Sequence, residues 1–324
     1  ELISPKNPRA LYFNDAVAVG WVRGADMLEL TAVDPVVGAV FYLLPQKAAA
    51  RPAFRRESDE CLLCHQTWDT SGVPGWVTMS VFSVPAATDK YSYASGTFSD
   101  HRLNFNERWG GWFVTGQLGN LRHLGNDTQL DRPAPRVAPS GRSLANLEGQ
   151  FDLRGFPSPH SDVAALMLLE HQVTMTNQIV RIGYEARVTP ESPLVRDAAV
   201  ELVDYLLFVD EAPLPVPVTG STEFARHFAE RGPRDSKGRS LRQLDLKTRL
   251  LKYPCSYLIY SEAFTALPAA AKAAIYDRLW KVLSGEVKGE PYDRLAREDR
   301  VAIAEILRDT RPDLPSVFSG SITK

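Results

Sequence analysis

Two thiols and an imidazole stand together in the run Cys61-Leu62-Leu63-Cys64-His65, and that spacing has few chemical uses. Thiols three residues apart can add across the two vinyl groups of a haem. An imidazole directly after the second thiol then reaches the iron from one side, so one short segment holds both macrocycle and metal. The chain has only 3 Cys and 6 His in 324 residues. Random placement would give this pattern in roughly 3 of 10,000 such chains, which makes chance a poor explanation. The motif therefore predicts one covalently attached haem c, with Cys61 and Cys64 as thioether anchors and His65 as an axial ligand.

Zinc and dithiol redox chemistry are the competing uses. Zinc would want a second Cys/His pair at short spacing, but Cys255 is solitary and the other histidines are scattered. A redox pair should open a helix after a strand in a βαβ unit. Here Ser58-Asp59-Glu60 before the motif and Thr67 to Gly75 after it predict a short helix within a loop. No phosphate-binding loop, dinucleotide fingerprint, metalloprotease helix or nucleophile elbow occurs elsewhere, so any chemistry is expected to be the haem's own.

The second axial position of such an iron takes histidine, methionine or an incoming small molecule. Leu168, His171, Met175, Gln178 and Ile182 fall on one stripe of a long predicted helix. His171 is accordingly the sixth-ligand candidate and Met175 its rival, the alternative being a hydrogen-bonded buried histidine beside an ordinary core methionine. His101, in Ser99-Asp100-His101-Arg102, and His123, in Leu121-Arg122-His123-Leu124, are weaker candidates in loop-like sequence. Arg122 suits a haem propionate or solvent. In the run Arg108 to Gly116, Trp109 and Trp112 alternate with glycines, which fits either the lining of a flat macrocycle or a tight hairpin. The tyrosine-rich run Lys252 to Tyr260 reads as core packing, with Cys255 an inert buried thiol.

The elements that must position these residues change character along the chain. From Leu11 to Leu44, short runs rich in Val, Phe and Tyr, broken by Gly20, Gly24, Pro35 and Gly38, predict antiparallel strands. More β-like pieces follow at Val77 to Val84, Tyr91 to Phe98 and Trp112 to Thr115. Pro133, Pro135, Pro139 and Gly141 mark a linker. Beyond it, helices are predicted over Ser161 to Arg187, Leu194 to Val209, Thr222 to Glu230, Ala269 to Leu283 and Glu298 to Arg308. The expected fold is α+β: a β-rich haem-attachment region over 1–140 and a mainly helical region over 141–324 that packs against it.

Composition narrows the setting. With 44% hydrophobic and 23% charged residues and a net charge of -2, the chain is an ordinary folded type with no basic surface for nucleic acid. No apolar stretch approaches the roughly 20 residues of a membrane-spanning helix. The sequence opens at Glu1 without Met or an apolar leader, as a mature exported chain would, and haem c itself implies a periplasmic or otherwise exported protein.

Several segments together resemble an uncharacterised family of large exported proteins that contain a cytochrome c domain with a single CxxCH. They are Glu60 to His65, Ser71-Gly72-Val73-Pro74-Gly75, Glu107 to Gly116, Leu169-Glu170-His171-Gln172 and Gly238 to Tyr260. The resemblance spans most of the chain and implies a periplasmic haem protein without specifying a reaction. His101, His123 and His171 match the family pattern, which supports them as haem-site residues. Histidines that the pattern places near Gln117 or Leu118, and near Thr176, are missing here.

One haem needs far fewer residues than this chain has, so three roles are open. The first is electron transfer to or from a redox partner protein, as a free carrier or as a subunit of a larger redox complex. The second is a haem enzyme with an open distal site for peroxide or small nitrogen compounds, in which His101, His123 or Arg122 serves as acid, base or anion clamp. The third is a structural or docking subunit that uses the helical half as its interface.

Overall fold

Asparagine and aspartate at the ends of short apolar runs fold the N-terminal segment back on itself. The computed structural model describes residues 2–81, 96–127, 141–320 and 322. Strands β1 (Ala10–Phe13), β2 (Val17–Trp21), β3 (Met27–Asp34), β4 (Gly38–Pro45) and β5 (Arg55–Glu57) pair antiparallel in that order. The Asn14 side-chain oxygen accepts the N–H groups of Ala16 and Val17, and the Asp34 carboxylate accepts those of Val36 and Val37. These local bonds substitute for backbone partners and set the reversals. The registers Phe13↔Ala18, Ala18↔Thr31, Thr31↔Phe41 and Val33↔Ala39 put Phe13, Ala18, Val33, Ala39 and Phe41 on one face. That face carries the CxxCH segment, which forms α1 (Asp59–His65), and one side of the long helix α2 (Val163–Val188).

Gly38 is where sheet, loop and helix meet most tightly. Its φ is +88°, and a Cβ there would lie 2.4 Å from the Pro74 carbonyl oxygen and 2.9 Å from Val180 Cγ1. The same carbonyl accepts the Ala39 N–H at 2.9 Å. Gly38→Ala is expected to destabilise the protein by about 2–4 kcal/mol, through the left-handed backbone and the collision together. Chemical denaturation tests this, and a loss below about 1 kcal/mol would mean the three elements part without penalty.

The helical part follows with α3 (Pro193–Leu206), α4 (Thr222–Glu230), α5 (Glu262–Thr265), α6 (Ala269–Ser284) and α7 (Arg297–Thr310). The chain is thus α+β, as the residue pattern predicts. Helix α2 begins at Val163 because Asp162, rather than Ser161, caps it: the carboxylate accepts the Ala164 and Ala165 N–H groups, and also the Ser221 N–H that leads into α4. Of its 26 residues, 18 are buried, because it is covered on opposite sides. Leu169 and Val173 face the sheet, while Leu168, Met175, Ile179 and Ile182 join the main core with α3 and α6. The short α5, begun by the Ser261 hydroxyl accepting the Phe264 N–H, was not expected.

Of the predicted β-like pieces in the middle of the chain, the described residues keep only β6 (Met79–Ser80) paired with β7 (Thr97–Phe98). From Trp112 to Thr115 the chain forms no strand, and only Thr115 makes an isolated bridge. Residues 82–95, and the linker prolines Pro133, Pro135 and Pro139, lie outside the described residues. Among the described residues no helix is long and apolar enough to cross a membrane.

Candidate haem-attachment site

Helical spacing decides what the motif presents. Residues three and four apart share a helix face, so within α1 the Cys61 and Cys64 thiols and the His65 ring project to one side. Leu62 turns inward and packs with Cys61 against the Phe41, Trp76, Leu169 and Val173 cluster. Cys61 is half-buried and Cys64 exposed. Leu63 and Trp68 are 79% and 95% exposed, an unusual amount of apolar surface for so short a segment.

The loop after the motif returns to its own histidine. A reciprocal capping box between Thr67 and Thr70, followed by left-handed Ser71 and Gly72, turns the chain back. Gly75 then donates its N–H to the His65 carbonyl at 2.8 Å, and its own carbonyl lies 3.0 Å from His65 Nδ1. A carbonyl can only accept, so the proton sits on Nδ1 and the lone pair on Nε2. Nε2 has no hydrogen-bond partner among the described residues. The ring also packs on Phe41, with centroids 4.8 Å apart. Burial, followed by the neighbouring Arg9 charge, holds the imidazole below its usual pKa, while the Gly75 carbonyl opposes this. A neutral imidazole with a fixed Nδ1–H and a bare Nε2 is the form that binds a metal.

The Cys61 thiol is not tuned for redox exchange. Burial, Glu57 and Glu60 push the Cys61 thiol up, the reverse of the depressed pKa an attacking thiolate requires. Among the described residues no group of three His, Cys, Asp or Glu side chains is placed together as a zinc site requires. The arrangement does fit a thioether-bound haem. Two thiols and one metal-ready nitrogen share a face, the set that such a group would need.

The other residues picked out by the sequence lie elsewhere. His171 and Met175 share a stripe, as their spacing predicts, but it faces away from the sheet: Met175 is sealed in the main core, and both His171 nitrogens are engaged. Its Nδ1 is 2.8 Å from His101 Nδ1, and its Nε2 is 2.7 Å from Ser256 Oγ. His101 also stacks on Tyr205 and Phe208, at 3.9 and 4.6 Å between centroids. His123 is buried edge-on to Trp109, and its Nδ1 accepts the Gly125 N–H at 3.0 Å. Burial pushes His123 down to about 4 and His171 down to about 3. His101 falls well below its usual value, through burial first and His171 next.

Trp109 belongs to the main core with Phe105, and Arg122 is exposed. Trp112 alone of this group reaches the motif's cluster. It sits where the two apolar clusters meet and donates Nε1–H to the Met79 carbonyl at 2.8 Å. The structure thus gathers Cys61, Cys64, His65 and Trp112 on the sheet side of α2. It sets His101, His171 and Met175 on the other side, in the main core.

Beside the histidines, Glu170 and Arg108 form a buried ion pair at 3.2 Å, completed by the Ser99 hydroxyl on Glu170. Arg108 Nη2 and Nε also donate to the His101 and Leu103 carbonyls, each at 2.7 Å. This network fixes the 99–108 segment to α2. Sequence reading missed three contributors to the motif's setting: Phe41, the Gly75 carbonyl and Asn177. The last leaves a readable sign, a carboxamide in the otherwise apolar stripe Leu169, Val173, Val180. Compared with protein-family models, with curated proteins and with solved structures, the chain matches none of them.

Proposed function

We propose that the chain carries one haem c, bound through thioethers to Cys61 and Cys64 with His65 Nε2 as an axial ligand, and that it transfers single electrons in an exported compartment. The observation that carries this reading is the two-way His65–Gly75 clamp, which fixes the tautomer and leaves Nε2 bare beside two thiols on one helix face. When bound, the haem supplies a one-electron couple, whose potential the protein sets through ligand, burial and hydrogen bonding. The chain's own part is to anchor the edge of the macrocycle, hold the ring nitrogen toward the metal and cover one face with apolar side chains. A redox protein or complex is the expected partner.

A second reading, a haem enzyme with an open distal position, gains from the placement of His101, His171 and Met175 in the helical core. The test of both is one preparation, exported in a host with haem-attachment machinery. The wild type is expected to keep its haem on a denaturing gel, and the Cys61→Ala/Cys64→Ala variant to lose it. Wild-type protein without attached haem would end the proposal. A low-spin spectrum unmoved by carbon monoxide supports the electron carrier, whereas a shifted one transfers the choice to the enzyme.

A further inference from the structure

We propose that Asn177 is a positioning residue for the His65 nitrogen, acting from α2 through the peptide plane between Gly75 and Trp76; this rests on the haem reading above. The Asn177 side-chain oxygen accepts the Trp76 N–H at 3.0 Å, and its Nδ2 donates to the Trp76 carbonyl at 2.7 Å. That N–H and the Gly75 carbonyl belong to one planar peptide unit and point in opposite directions. Pinning the N–H therefore aims the carbonyl, and the carbonyl is the group that meets His65 Nδ1 at 3.0 Å.

The approach is close enough to dictate the residue at 75. A Cβ on Gly75 would stand 2.3 Å from Asn177 Oδ1 and 2.8 Å from its Cγ, with Thr70 Cβ at 3.0 Å. Only glycine lets the carboxamide in. The position of Asn177 also needs a reason, because this carboxamide residue is 2% exposed, between Val173 and Val180 on α2. A buried amide there costs stability unless it is fully bonded, and here its oxygen and its nitrogen are both used on the backbone of the residue next to Gly75. The long helix thereby reaches into the iron ligand's second layer of contacts, which gives the helical half a part in setting the couple.

A strong bond from Nδ1–H makes an imidazole a more basic ligand and favours the higher oxidation state of the metal it holds. Removing the clamp is expected to favour the reduced form. For the exported, haem-bearing protein with Asn177→Leu, the reduced-to-oxidised ratio at fixed potential should rise at least threefold, ~28 mV at 59 mV per tenfold for one electron. Gly75→Ala, which expels the carboxamide, should shift it in the same direction. The double variant should move little further than either single one, since both act on one peptide plane. Leu202→Ala, a fully buried change in α3, controls for general loosening and should leave the ratio alone. If Asn177→Leu does not accumulate, Asn177→Ser removes the clamp with a smaller side chain. Wild-type protein without haem overturns the haem reading and this one with it. Haem-bearing variants with an unmoved ratio, or shifts that simply add, leave the haem reading standing and overturn the role of Asn177.

Discussion

Arg108→Met is expected to remove about 3–5 kcal/mol of stability, a large part of what holds a protein of this size together. Arg108 is 1% and Glu170 3% exposed, so the substitution strands a carboxylate in the core. It also takes donors from the His101 and Leu103 carbonyls and a cation from above the Phe105 ring, 4.2 Å from its centroid. Burial already pushes the Glu170 carboxyl above its usual value, against the pull of Arg108 and Ser99, and without Arg108 the largest opposing influence is gone. Replacing both partners, as Arg108→Met/Glu170→Met, removes the stranded charge. The double variant should recover part of the loss, though not all, because the Leu103 carbonyl still lacks its donor. The His101 carbonyl keeps the Ala212 N–H at 3.0 Å. Urea denaturation of the three proteins decides it. A single-variant cost below about 1 kcal/mol, or a double variant no better than the single, would mean the pair is not the fastening that joins the 99–108 segment to α2.

The ion pair also shows what kind of information a sequence carries. The motif, the strands before it and the long helix after it are local patterns, and each is legible from residue type and spacing. So is the stripe that unites His171 with Met175. Which way that stripe points is not local. Helix α2 is apolar on opposite sides, with Leu169 and Val173 on one and Leu168, Met175 and Ile182 on the other, and its periodicity does not say which side meets the sheet. The side that meets the CxxCH segment is the stripe with Asn177, while His171 turns toward Ser256, 85 residues further along the chain. Glu170 and Arg108 were unreadable for the same reason. Their pairing spans 62 residues, and each alone looks like a surface charge. The role of Gly75 depends on a backbone carbonyl, to which residue identity gives no direct sign.

Acid should weaken the fold well before carboxylates are fully protonated, because three histidines are buried in neutral form. In the folded protein His171 is pushed down to about 3, His123 to about 4, and His101 also falls well below its usual value, all chiefly by burial. In the unfolded chain each titrates near its ordinary value of about 6.5. Above that pH neither state carries the protons, and the stability tied to these groups is fully present. As pH falls below about 6.5 the unfolded chain takes up protons that the folded one refuses, and each histidine costs about 1 kcal/mol per pH unit until its folded value is reached. Glu211 works the other way: burial pushes its carboxyl up to about 7, so the folded state gains a proton first as pH falls. Asp162, Asp204 and Glu170, also raised by burial, act in the same sense as Glu211. Three histidines against Glu211 leave a net loss of about 2 kcal/mol per pH unit between roughly 6.5 and 5, before those carboxyls offset part of it. The histidine share is isolated with His123→Asn, whose side-chain oxygen can still accept the Gly125 N–H. From pH 6.5 to 4.5 that variant should lose stability less steeply than wild type, by about 1 kcal/mol per pH unit. Equal slopes in the two proteins would mean that His123 is protonated in the fold, and that its burial beside Trp109 is looser than the 5.4 Å between their rings implies.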